Sequence, residues 1–196
     1  MNACFEAVGL VARPLAHGDG PAFAAFGESV AGYGEGYYGL DGQELRSRGA
    51  RHWLLTPRRP RLLALGLFDA RGAIAGVLEV IVHHTMPDEW CVVLLLLRPE
   101  MRGRGTGEAV YRAFEAWAVS QGARSFLLAV VDSNPRALAF WSRLGFVRVA
   151  TKPMTLGRRT HDGQVLVRIV CPRRREELAA YLPQPVGQRQ AVTSPA

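Results

Sequence analysis

The stretch that most constrains this chain is LLLLRPEMRGRGTG, residues 94–107. An apolar run stops at Arg98-Pro99. Glycines then occupy three alternate positions, Gly103, Gly105 and Gly107, with Arg102 and Arg104 beside them. Val110, Phe114 and Trp117 follow at i, i+4 and i+7, on one helical face. The expected local structure is a buried strand, a glycine-rich turn and the start of a helix. Glycine lets the backbone approach a ligand with no Cβ in the way. The first turn of a helix offers free N–H groups with partial positive charge. Together they suit a phosphate or diphosphate.

Spacing decides which phosphate motif this is. A P-loop ends in Gly-Lys-Ser/Thr; no such ending occurs here, and Lys152 is the one lysine of the chain. A dinucleotide fingerprint needs Gly-x-Gly-x-x-Gly and an acidic residue after the next strand. Gly103, Gly105 and Asp132 supply parts of it, but Glu108 stands at the third glycine position, and what precedes the loop reads as an antiparallel meander. The spacing that fits is Arg-x-x-Gly-x-Gly at Arg102, Gly105 and Gly107, after a Leu97-Arg98-Pro99 lead-in. It resembles the acyl-CoA-binding motif of the GCN5-related N-acetyltransferase (GNAT) superfamily. A second stretch, NPRALAFWSRLGF at residues 134–146, resembles that family's second cofactor motif, in which an Asn opens a helix ending in Leu-Gly-Phe. The resemblance covers residues 5–171 and is strongest over 90–146.

Apolar residues make up 48% of the chain and charged ones 21%, as in globular proteins. A length of 196 residues suits one core. A single domain is expected over residues 1–182, followed by a disordered tail at 183–196, rich in Pro, Gln, Ser and Thr. The net charge of +7 raises the question of a nucleic-acid partner. The excess is nearly all Arg, scattered except at 58–61 and 173–175, which reads as solvated surface with a share suited to a polyanionic cofactor. No nucleic acid is expected. Cys4, Cys91 and Cys171 lie far apart in strand-like runs, with no disulfide or metal spacing; buried free thiols are expected, and no metal. With no signal-peptide pattern and no apolar run of membrane-spanning length, a cytoplasmic protein without a membrane partner is expected.

Along the chain, residues 5–12 read as a first strand. Asp19-Gly20-Pro21 reads as a helix start, with Phe23, Phe26 and Val30 as its buried stripe. Residues 32–42, GYGEGYYGLDG, read as a loop. Asp41 and Glu44 resemble a capping box for a short helix to about residue 48. Strands are expected at 62–68, 74–82 and 91–97, joined by short turns and therefore antiparallel. A helix over 105–121 closed by Gly122 leads to a strand at 125–131, and this crossover implies a parallel pair. Asn134 and Pro135 open a helix that ends at Gly145. A strand begins at 146, and Asp162-Gly163 reads as a hairpin turn into a last strand at 164–170. The fold class expected is mixed α/β of the GNAT type: about seven mostly antiparallel strands with about four helices on both faces.

The resemblance implies acetyl-CoA, or another short acyl-CoA, as cofactor. Its diphosphate would lie on the backbone of Arg102, Gly103, Arg104, Gly105, Thr106, Gly107 and Glu108. Its pantetheine arm would run along Leu95, Leu96 and Leu97, with Asn134, Phe140 and Trp141 on the other wall; Asn134 as a plain helix cap is an equal reading. The backbone near Leu97 is the candidate oxyanion donor. The family's usual general acid is a Tyr where this chain has Trp141, whose indole cannot deliver a proton near neutral pH. Packing is the expected role of Trp141. Glu79, in an apolar strand, is a candidate base. Tyr33, Glu35, Tyr37, Tyr38 and His84 are candidate acceptor contacts, or ordinary loop residues.

The function expected is transfer of an acetyl group to the amine of a small molecule or peptide, by direct attack, in a monomer or homodimer. The alternative is a weak or inactive acyl-CoA-binding sensor.

Overall fold

The computed structural model describes residues 4–32, 61–156 and 158–171. Eight strands lie in one sheet: β1 (Phe5–Ala7), β2 (Leu10–Pro14), β3 (Leu62–Phe68), β4 (Ile74–Ile81), β5 (Glu89–Leu97), β6 (Ser125–Val131), β7 (Val147–Leu156) and β8 (Arg159–Ile169). Their order is β1-β2-β3-β4-β5-β6-β8-β7. Every neighbouring pair is antiparallel except β5 and β6, which the long crossover makes parallel. The described residues hold three α-helices: α1 (Gly20–Ser29), α2 (Thr106–Ser120) and α3 (Pro135–Arg143). The short helix expected near residues 41–48 lies outside the described residues.

Three sequence expectations are corrected. The single strand at 5–12 is a hairpin, because Val8 and Gly9 take φ of 47° and 76° and reverse the chain. Two positive φ values suit a tight hairpin turn, but a β-branched Val hides it in the sequence. This adds the eighth strand. The turn expected at Asp162-Gly163 is not there: β8 runs through both, and the chain reverses between Leu156 and Arg159. Gly163 serves a different need, since a Cβ on it would collide with the Met154 side chain lying across it. The cysteines are free but only half-buried, and Cys4 and Cys171 flank strands rather than lie in them.

The two sheet faces are covered by different helices. Val110, Tyr111, Phe114 and Ala118 of α2 are fully buried at helical spacing. The last three pack on Leu78, Val80, Trp90 and Val92. A side chain such as Phe114 contributes about 1.5–3 kcal/mol on burial. On the other face, Phe23 and Phe26 of α1 pack against Phe68, Val77 and Leu96. Asp19 precedes α1 without capping it through its side chain. Its carboxylate accepts from Arg13 Nη2 at 2.7 Å and from the Ala16 N–H at 2.8 Å, so it ties the helix start to β2.

Two irregularities of β5 matter most. Opposite β4, Glu79 pairs with Leu94 but Val80 with Val92, so Val93 is an extra residue in a bulge. Opposite β6, pairing runs only from Glu89↔Ser125 to Cys91↔Leu127. Beyond Cys91 the two parallel strands part.

Candidate functional site

The gap between β5 and β6 exposes backbone that a continuous sheet would consume. The Arg98 N–H donates to the Ala75 carbonyl at 2.9 Å, so Arg98 faces β4. Peptide groups alternate sides along a strand. Leu97 and Leu95 therefore face away from β4, toward the gap where β6 no longer pairs. The Leu97 carbonyl accepts from Arg102 Nε at 2.8 Å. The N–H groups of Leu95 and Leu97 remain for a ligand.

The glycine loop closes this gap at one end. A 3₁₀ turn at Pro99–Met101 follows β5. Gly103 and Gly105 then take φ of 73° and 79°, which a side chain would strain. Gly105 is the N-cap residue of α2 and has no side chain to cap it with. The first helical bond runs from the Ala109 N–H to the Gly105 carbonyl. The N–H groups of Thr106, Gly107 and Glu108 have no intrahelical acceptor. Gly107 lies against α3, where a Cβ would stand 3.5 Å from the Phe140 ring.

These elements enclose a cavity of about 350 Å³. Among its lining residues are Leu95, Leu96, Leu97, Arg102, Gly103, Gly105, Gly107, Glu108 and Phe140, each expected there from the sequence. Arg104 is exposed and Thr106 buried, and neither lines it. Arg143, not among the residues expected from the sequence, also lines it. Its only sequence signal is its place three residues after Phe140, on the same face of α3. The lining offers free amides and arginines at one end, and leucines and an open strand edge at the other.

A profile of the Acetyltransferase (GNAT) family matches residues 32–146. The chain belongs to this family. Solved GNAT structures share its fold. An acetyltransferase from Thermus thermophilus superposes with a TM-score of 0.68 at 24% identity, over 84% of this chain and 99% of that one. A GCN5-related N-acetyltransferase from Kribbella flavida gives 0.60 at 26%, over 83% and 98%. The spermidine N-acetyltransferase of Vibrio cholerae, solved in complex with CoA and spermine, gives 0.60 at 17%, over 82% and 95%. No curated protein matches the chain.

Against the family pattern, the remaining positions divide. Trp141 is buried, 7% exposed, and does not line the cavity. Its ring centroid stands 5.3 Å from Tyr111, 4.9 Å from Phe140 and 5.2 Å from Phe146. Asn134 caps α3, its Oδ1 accepting from the Ala137 N–H at 3.1 Å, and is likewise outside the lining. Glu79 sits in β4 between Ala64 and Leu94. Burial pushes its carboxyl up to about 8, and it makes no hydrogen bond or ion pair among the described residues. His84 is exposed at the far end of β5, its Nδ1 3.6 Å from the buried carboxylate of Glu89. Tyr33, Glu35, Tyr37 and Tyr38 lie outside the described residues.

Proposed function

We propose that this GNAT protein is an N-acetyltransferase that carries an acetyl group from acetyl-CoA to the amine of a small molecule or peptide. The observation that carries the reading is the continuous cavity joining the parted edge of β5 to the glycine loop and the uncapped start of α2. An acyl-CoA has a diphosphate for the amides of residues 106–108. It has an amide-bearing arm for the strand edge and a thioester that would reach the bulge. Asn134 has amide hydrogens left over from its capping role to meet the same arm.

In this reading Glu79 receives the acceptor's proton. A carboxylate near 8 is far closer to an amine of pKa about 10.4 than an ordinary one. The amine then attacks the thioester carbon, and the developing oxyanion takes a backbone N–H. The sequence points to Leu97 for this role. Leu95 points the same way and adjoins Leu94, the cross-strand partner of Glu79, so it suits the task better. The CoA thiolate leaves unaided, since a thiol of pKa about 8.5 is a tolerable leaving group. Tyr111 is no substitute acid: it is fully buried and donates to Glu115.

The burial of Trp141 where relatives carry an acid favours one competing reading, a CoA-binding sensor without turnover. Thiol release from acetyl-CoA over a panel of primary amines, polyamines and peptide N-termini separates the two. Acceptor-dependent release supports the enzyme. Tight acetyl-CoA binding with no release from any acceptor supports the sensor.

A further inference from the structure

The strands on either side of Glu79 give it apolar neighbours. Its cross-strand partners are Ala64 on β3 and Leu94 on β5. Both pack against the cluster that Phe23 and Phe26 of α1 build on this face of the sheet. Alternation along the strands carries the face onward. Two residues past Glu79 comes Ile81, paired with Cys91, and Cys91 pairs in turn with Leu127 of β6. All five of these neighbours are half-buried, whereas Leu78, Val80, Trp90 and Val92 on the opposite face are sealed under α2. Burial pushes the Cys91 thiol up to about 11, with the nearby Glu89 carboxylate adding to the rise, so the thiol is neutral. The strip from Glu79 to β6 is therefore apolar.

Among the strand residues of β3 to β6 on this face, one other carboxylate occurs. Glu89, two residues before Cys91, is 1% exposed, and its Oε1 lies 3.6 Å from His84 Nδ1. It is closed to a ligand. Glu79 is thus the single anion the strip offers, and it takes one proton from one nitrogen. A second ammonium drawn in with that nitrogen would leave water without a partner, which is strongly unfavourable. A hydrocarbon body in the same place gains from burial. We propose that the acetyl acceptor is a primary monoamine on an apolar body, an alkylamine or arylalkylamine, and that the strip of Ala64, Ile81, Cys91, Leu94 and Leu127 holds that body. The proposal rests on the acetyl-transfer reading and names its substrate class. It makes polyamines poor acceptors.

Initial rates of thiol release by the full chain at saturating acetyl-CoA test it. The acceptors are propylamine, butylamine, pentylamine and cadaverine, the diamine of pentylamine's length. In the parent, kcat/KM is expected to rise about threefold with each methylene from propylamine to pentylamine. Pentylamine should exceed cadaverine by about tenfold or more, the size of one unpartnered charge. Ile81→Asp puts a carboxylate one strand repeat, about 7 Å, from Glu79 and should shift the ratio toward cadaverine. A flat series, or cadaverine equal to pentylamine in the parent, overturns the proposal while acetyl transfer stands. So does an Ile81→Asp chain that still binds acetyl-CoA and keeps the parental ratio; if that variant fails to fold, the parent series alone decides. If no acceptor of any class releases thiol, the acetyl-transfer reading falls and this proposal with it.

Discussion

Arg102 Nε donates to the carbonyl oxygen of Leu97 at 2.8 Å, so the glycine loop is folded back onto the strand whose end it follows. This bond satisfies a carbonyl that the parting of β5 and β6 would otherwise leave open. It also aims the rest of the guanidinium into the cavity. Arg102→Ala is expected to raise the acetyl-CoA KM about tenfold. Arg102→Lys should rescue little, since one ammonium nitrogen cannot sit both at the Leu97 carbonyl and where the terminal nitrogens of the guanidinium fork reach along the cavity. Steady-state kinetics at fixed acceptor read both variants. Full rescue by Lys would show that charge alone matters.

Glu79 gives two pH predictions. Activity should rise with pH through an apparent pKa near 8. Glu79→Gln should flatten that limb and lower kcat/KM by about 10²–10⁴-fold. Stability should move the other way. The folded state holds this proton more tightly than the unfolded chain, whose carboxyl sits near 4.5. The contribution is therefore fully present below 4.5 and is lost as pH rises through about 8. Glu79→Gln should melt above the parent at about pH 9, with the gap closing toward about pH 5. A constant gap across that range would contradict the assignment.

Trp141 should behave as core. Trp141→Ala is expected to cost about 3–5 kcal/mol in urea unfolding. Trp141→Phe should fold with parental kcat and an unchanged pH profile. A large loss of kcat in a fully folded Trp141→Phe would mean the indole acts on the substrate after all.

The two loop glycines should part company. Gly105→Ala places a side chain at φ 79° and should cost about 1–2 kcal/mol of stability. Gly107→Ala meets only ordinary contact with Phe140 and gains helix propensity. It should leave the melting point unchanged or higher while weakening acetyl-CoA, because the new methyl lies in the cavity lining. Paired melting curves and ligand titrations decide between these outcomes.

The sequence made the site legible where chemistry depends on backbone. Gly103 and Gly105 are needed for their left-handed φ, and Asn134-Pro135 for opening a helix, so residue type and spacing announce both. What depends on side-chain neighbours was hidden. Arg143 counts only because Phe140 and Gly107 bring α3 to the loop. The Val8-Gly9 turn was masked by a residue that disfavours it. Gly163 looked like a turn because the side chain that needs its space, Met154, is nine residues away. Glu79 is visible in the sequence as a charge in an apolar strand, but its place beside the bulge follows only from the register of β4 on β5.

The proposed function stands or falls on whether the cavity between β5, the glycine loop and α3 binds an acyl-CoA. The most direct test is the melting temperature of the full chain titrated separately with acetyl-CoA, CoA and NAD. A ligand of the folded state at 100 times its Kd adds about 2.7 kcal/mol of stability. A saturable rise with acetyl-CoA and CoA, and none with NAD, is expected. A flat response to both CoA species, or an equal rise with NAD, would contradict it.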